Sequence, residues 1–543
     1  MLTTFTPRYG GQGSTRPFLR QTAAARLTAA PRREASPEAS GAIPEDPNAT
    51  LDGVFRERVR LSPEAVAYVH YDSAQRRWQD IAWGAMAREV ARWQAALGGL
   101  GLAPGERVAL MVGNGPDWVA FDQAALGLGL ATVPLYPGDR PDDVDWVLRD
   151  ADCRVLLIEG RAQWRALSPI APTLSRLEAV ISLRGIPADA PNLHHAASWL
   201  PPAGDPRDGG VPREAGMPEG GDAQGWASVP GGASREGQGV LAHSPARAGD
   251  LATLVNTSGT TGRPKGVMLT HRNILANVQA GLRAVRVGSD DALLSFLPLS
   301  HMLERTIGYY LPMVAGCRVA FARSIADLPE DLIRVRPSIL VAVPRVFERV
   351  HGRIQEALAA APPLKQRLFA QALALGWRSF LHAQGRAPWS PGLLAQPLLD
   401  QLAGAPVRAR LGGRLRFAIS GGAPLPPAVG RFFVALGVEI LQGYGLTETS
   451  PVIAVNRLED NESESVGPAL PGVEVQIGAD DELRVRGPSV MLGYWRNEAA
   501  TREAIDAAGW LHTGDQARIG PRGHIAITGR LKDILVLSNG EKV

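Results

Sequence analysis

Residues 257–267 read Thr-Ser-Gly-Thr-Thr-Gly-Arg-Pro-Lys-Gly-Val, directly after the apolar run 251–256. Three threonines, a serine, three glycines and one lysine within eleven residues form an anion-binding composition. Glycines let backbone N–H groups approach phosphate oxygens, hydroxyls add donors, and Lys265 supplies a mobile point charge. Composition alone leaves an ordinary surface loop open as the alternative. The order of residues excludes a Walker A loop, because counting from Gly259 puts Pro264 where the second glycine must stand. A dinucleotide fingerprint is excluded too: Gly127 and Gly129 are followed by Thr132 where the third glycine should fall. Lysine is itself scarce, at four of 57 basic residues: Lys265, Lys365, Lys532 and Lys542. A compact ammonium is thus placed where the rest of the chain uses the rigid guanidinium fork.

The elements that must position this loop alternate between helix and strand. Between 51 and about 185, a helical pattern at 85–97 puts Val90, Trp93 and Leu97 on one face and stops at Gly98-Gly99. Short apolar strands follow at 107–112, 131–136 and 154–159, with a helix at 117–126. This rhythm argues for parallel sheet with helices on its faces. It fails from 186 to 250, where 19 of the 50 residues from 201 onward are Gly or Pro, the composition of a flexible insertion. The α/β rhythm resumes at 251–450, with strands at 338–343 and 415–420. The texture then changes: 474–478 and 482–487 alternate around a Gly-Ala-Asp-Asp turn, a β-hairpin signature. The expected organisation is a basic leader 1–45, an α/β unit 46–185, the insertion 186–250, an α/β unit 251–450, a β unit 451–528 and a stub 529–543.

The string TSGTTGRPKG is specific, and it resembles the phosphate loop of the adenylate-forming superfamily. Further motifs fall in that family's order. GYGLTETS (443–450) resembles its second nucleotide motif, SGGAPL (420–425) its adenine-binding segment, WLHTGD (510–515) its ribose motif and GRLKDIL (529–535) its hinge. The resemblance implies an α/β fold of two layered subdomains plus a small antiparallel, barrel-like β subdomain, the large N-terminal domain of that family. It places ATP on Thr257, Ser258, Gly259, Thr260, Thr261, Gly262 and Lys265. Tyr444 would pack on adenine beside the backbone of Gly421, Gly422 and Ala423, while Asp515 and Arg530 would take the ribose. Thr447 would contact the α-phosphate, Glu448 and Thr260 would serve Mg²⁺, and Lys532 occupies the hinge. The residue types suit these tasks: an aromatic face stacks on a base, and a carboxylate holds a hard cation through oxygen.

PLSHMLER (298–305) and AVPRVFERV (342–350) resemble the long-chain fatty acyl-CoA synthetase branch. His301 is expected where acyl group and α-phosphate meet, with a satisfied core histidine as the alternative. The nearly continuous apolar segment 306–321 suits an acyl tunnel wall, though core packing explains it almost as well. The implied reaction has two halves. Fatty carboxylate and MgATP give acyl-AMP and pyrophosphate, and coenzyme A then displaces AMP. The first half needs no general base, because the carboxylate is already ionised at neutral pH. Charge cancellation would come from Mg²⁺, Lys265, Thr447 and backbone donors. The family's mobile C-terminal domain would follow Val543. Its absence leaves three readings: a ligase or its large domain, an adenylate-only ligase serving a carrier protein, or a nucleotide- and lipid-binding remnant.

Charge and cysteine content bound the partners. Residues 1–33 hold six arginines and no acid, and the remainder holds 51 basic against 54 acidic residues. A balanced body offers no footprint for nucleic acid. Cys153 and Cys317 lack any metal or redox spacing and read as buried thiols of a reducing compartment. No apolar run approaches the ~20 residues of a membrane span. The expectation is a cytoplasmic protein; contact with the periphery of the inner membrane stays open, although no basic amphipathic helix announces it.

Overall fold

The structure, a computed structural model, describes residues 41–186, 190–203, 241–258 and 263–531. Two eight-stranded sheets and one four-stranded sheet carry these residues. The first sheet runs, edge to edge, through Gly493–Tyr494, Pro264–Thr270, Leu251–Ser258, Ala131–Pro134, Arg107–Met111, Cys153–Ile158, Ala179–Ser182 and Leu193–His195. The second runs through Val452–Val455, Ile440–Gly445, Phe417–Ser420, Ile339–Ala342, Ala292–Ser295, Arg318–Phe321, Val66–Asp72 and Arg77–Ala82. Interior strands of both pair in parallel, and antiparallel pairs occur only toward the edges. Such strands are buried on both faces, which is why they read as unbroken apolar runs such as Val155-Leu156-Leu157-Ile158.

The largest core cluster fills the space between the sheets. It joins Val108, Val155 and Ala252 of the first with Leu293, Ile339 and Phe417 of the second. Helices Pro116–Gly127 and Leu311–Ala315 and the π-helical stretch Glu304–Tyr310 lie in this layer, and every residue from Trp118 to Gly127 is buried. A helix apolar on all sides belongs in such a place. Its polar Asp122 is answered by Arg305, whose guanidinium also donates to Thr253 Oγ1 (2.8 Å) and Thr132 Oγ1 (2.7 Å) of the first sheet. Both members of this ion pair are fully buried.

The small sheet, Glu474–Ile477, Glu482–Arg486, Leu511–Ile519 and Ile525–Arg530, is antiparallel throughout. Its first hairpin pairs Glu474 with Arg486 around the anticipated Gly-Ala-Asp-Asp turn. Within the Gly/Pro-rich stretch 186–250, Leu193–His195 adds an edge strand and Ala196–Trp199 a short helix. Gln94 also anchors Ala242 through its backbone N–H and carbonyl. Both cysteines are buried and unpaired, and burial pushes the Cys153 thiol up to about 12.

Candidate functional site

Parallel strands of α/β sheets present ligands at their carboxyl ends. At those ends in the second sheet lie His301, beyond Ala292–Ser295, and Gly421-Gly422, beyond Phe417–Ser420. The anticipated phosphate loop joins two antiparallel strands in register Thr257↔Lys265, so it is the tip of a hairpin rather than a helix entrance. Gly259, Thr260, Thr261 and Gly262 lie outside the described residues, as do the side chain of Ser258 and Lys532. The returning strand runs straight into helix His271–Ala284, capped by Thr270 and Asn273.

That helix organises two further segments. Asn277 Nδ2 donates to the carbonyls of Thr449 (3.3 Å) and Val452 (2.7 Å), and Val452 N–H donates back to Asn277 Oδ1 (3.2 Å). One turn earlier, Asn273 Nδ2 donates to the carbonyls of Pro488 (2.7 Å) and Val490 (2.9 Å). Two amides four residues apart on one helix face thus fix the loop bearing Thr447 and Glu448 and the segment leading to Tyr494. Asn114 does the same for the approach to His301, donating to Leu297 O (2.6 Å) and accepting from Leu299 N–H (2.9 Å).

One cavity of about 1120 Å³ connects these parts. Thr257, Lys265, Thr447, Glu448, Tyr494, Asp515 and Arg530 line its polar end. Tyr444 donates to Asp515 Oδ2 (2.6 Å) and Arg530 Nε donates to Asp515 Oδ1 (2.8 Å), with Asp515 and Arg530 opposite each other across the small sheet. Burial, and then the Asp515 carboxylate, raise the Tyr444 phenol above its usual range. Gly421 and Gly422 lie on the wall, but Ala423 is exposed beyond it. Gly422 adopts φ +81°, a conformation glycine takes at no steric cost.

Tyr494 is the residue that sequence reasoning missed. Its hydroxyl donates to Glu448 Oε1 (2.8 Å), and the Lys265 ammonium sits 5.0 Å from its ring centroid. It reaches this position because Gly493–Tyr494 pairs with the strand carrying Lys265, in register Tyr494↔Val267. The available signal was the Gly-Tyr-Trp run 493–495, whose aromatic lies too far along the chain from either partner to reveal the contact.

The same cavity continues inward as an apolar limb walled by Val285, Leu293, Ile307, Leu311, Ile339 and Phe417. Gly281 keeps the limb open, since a Cβ there would come within 3.3 Å of Leu311. His301 also lines the cavity, exposed into it, and desolvation by the surrounding protein lowers its ring pKa. Its Nδ1 accepts from Leu303 N–H (3.2 Å), so the neutral ring carries its proton on Nε2. Beside the limb, Glu304 is fully buried and its carboxyl is pushed up to about 8 by desolvation. Gly308 leaves room for it, because a Cβ there would lie 2.4 Å from Glu304 Oε1.

Among the described residues no cluster of three or more His, Cys, Asp or Glu side chains has metal-holding geometry. With Asp515 taken up by Tyr444 and Arg530, the Glu448 carboxylate beside Thr447 suits a hard cation that takes most of its oxygens from a bound polyphosphate and water. It does not suit a metal caged by protein alone. No described helix is long and apolar enough to cross a membrane.

Residues 55–495 match the family described as AMP-binding enzyme. The long-chain-fatty-acid–CoA ligase FadD15 of Mycobacterium bovis is 34% identical over 495 residues, which span 90% of this chain and 75% of that protein. Peroxisomal long chain acyl-CoA synthetase 6 of Arabidopsis thaliana is 32% identical over 473 residues, 82% of this chain and 60% of that one. Among solved structures, ATP-bound MatB from Rhodopseudomonas palustris superposes with a TM-score of 0.63 at 22% identity, covering 91% of this chain and 81% of that chain. A family match running from residue 55 to residue 495 leaves one conclusion: this chain belongs to the AMP-binding enzyme family.

Proposed function

We propose that the chain activates a long-chain fatty acid with ATP, forming acyl-AMP and pyrophosphate and then, with coenzyme A, acyl-CoA. The observation that carries this reading is the continuity of one cavity from a phosphate-suited end to an apolar limb. The long-chain ligases among the relatives support the choice of acid.

In this reading adenine stacks on Tyr444 and the ribose hydroxyls meet Asp515 and Arg530. Tyr444 and Arg530 already hold the Asp515 carboxylate in place, so the ribose finds an acceptor whose direction is set. Lys265 and Thr447 face the phosphates. Magnesium, held by Glu448 and phosphate oxygens, would neutralise charge on the triphosphate. Oxyanion stabilisation of this kind, with reactants held in line, is the main task, since the fatty carboxylate attacks the α-phosphorus as an anion. As the bond to the pyrophosphate oxygen breaks, negative charge builds on pyrophosphate, which Lys265 faces. His301, neutral and with its proton on Nε2, donates to a carboxylate oxygen at the junction rather than removing a proton. Acyl-AMP so formed would span both ends. Displacement of AMP by the coenzyme A thiol completes the reaction.

The test supplies palmitate, ATP and Mg²⁺, follows pyrophosphate, and then adds coenzyme A. Palmitate-dependent pyrophosphate followed by palmitoyl-CoA is expected. Pyrophosphate without palmitoyl-CoA would restrict the activity to adenylation, and release driven better by acetate than by palmitate would overturn the long-chain reading.

A further inference from the structure

Away from the cleft, residues 357–438 carry nine basic side chains and a single acid, Asp400. The rest of the chain is nearly balanced, so this is a local concentration. Arg408 takes up Asp400, while Arg386, Arg416 and Arg431 pair with acids outside the stretch. Lys365, Arg367, Arg378, Arg410 and Arg414 are exposed and enter no ion pair among the described residues. On helix Pro363–Ala383, Ala372, Gly376 and Phe380 are buried. Arg367 and Arg378, three turns apart, project from the opposite face.

The same region exposes large apolar side chains. Leu394, Leu398 and Leu402 are 76%, 65% and 60% exposed, with Trp389 at 55% and Leu364 at 69%. Leu394, Leu398 and Leu402 recur every fourth residue through Pro391–Ala395 and Gln396–Leu402 and so share one side, while Leu399 and Ala403 turn inward. The segment packs on Pro363–Ala383 and on Gly404–Arg410, so a leucine stripe and unpaired cations lie on adjoining helices. A patch of this kind marks an interaction site.

We propose that this helical layer docks on an anionic lipid surface, with the leucine stripe and Trp389 entering the interface and the cations facing acidic headgroups. Charge selects this occupant. A second copy of the chain would bring an equally basic patch against the first. Exposed leucines gain nothing from a nucleic-acid backbone, whereas tryptophan and leucine beside arginine suit the boundary between headgroups and acyl chains. The surface is built from the successive helices Pro363–Ala383, Gln396–Leu402 and Gly404–Arg410, and it does not depend on what the cleft binds.

Vesicle flotation of the full chain tests this, using phosphatidylcholine alone and phosphatidylcholine with one third phosphatidylglycerol. Binding to the acidic vesicles, weakened by salt and at least about tenfold stronger than to neutral ones, is expected. The variant Leu394→Ser/Leu398→Ser/Leu402→Ser should lose about tenfold in vesicle affinity, and Arg367→Glu/Arg378→Glu should lose the salt-dependent part. Both should melt at the wild-type temperature, because every altered side chain is exposed. No binding to acidic vesicles overturns the proposal. So does binding that both variants leave unchanged, or light scattering that shows a dimer which the leucine variant splits.

Discussion

Tyr494 touches two charged groups at the polar end of the cavity, accepting Lys265 over its ring and orienting Glu448 through its hydroxyl. Replacing Tyr494 by Phe keeps the ring and removes only the bond to the carboxylate. Hydrogen bonds to charged groups contribute about 1.5–3 kcal/mol, so the variant should need roughly tenfold more Mg²⁺ for half-maximal pyrophosphate release. The affinity for Mn²⁺ in the presence of ATP, read by electron paramagnetic resonance, should weaken in parallel; an unchanged Mn²⁺ affinity would remove Tyr494 from this role. Glu304 makes a prediction about pH. Its carboxyl is protonated in the folded chain up to about pH 8 but ionised in the unfolded chain above the ordinary carboxylate range. The unfolded state therefore binds fewer protons between those limits, and stability must fall as pH rises, by up to about 1.4 kcal/mol per pH unit. Glu304→Gln removes this slope, so denaturation midpoints of the two proteins should converge or cross toward pH 8.

Helix His271–Ala284 shows why part of the site was legible in sequence and part was not. Phosphate-loop, GYGLTETS and WLHTGD segments are short strings at strand ends, and their chemistry is readable because neighbouring residues act together. Asn114, Asn273 and Asn277 carry no such local signature. Each satisfies backbone groups of a segment well over a hundred residues away, a relation that only the packed sheets create. Strands at 339–342 and 417–420 were evident from apolar runs, whereas Leu193–His195 was hidden by Gly/Pro-rich surroundings. Asn277→Ala should cost about 1–3 kcal/mol, because it strands the buried carbonyls of Thr449 and Val452. It should also weaken ATP binding by calorimetry more than it weakens fatty-acid binding, since the loop it holds lines the polar end.

On the scale of the whole molecule, Asp122–Arg305 is a buried polar link from the layer between the two large sheets to Thr132 and Thr253 of the first. Removing one member of a buried pair leaves the other charge without compensation and costs about 3–5 kcal/mol. Asp122→Ala should accordingly lower stability by that amount in urea denaturation, and a loss below 1 kcal/mol by the same scale would show that Arg305 finds other acceptors. The central claim concerns the cavity that the sheets enclose: its polar end and apolar limb form one binding site for nucleotide and acyl chain together. Calorimetry with non-hydrolysable acyl-sulfamoyl adenosines of increasing chain length tests it without requiring turnover. Each buried methylene contributes about 0.8 kcal/mol, so affinity should climb roughly fourfold per carbon from the acetyl compound until the limb is filled. An acetyl analogue that binds as tightly as the palmitoyl one would contradict the account.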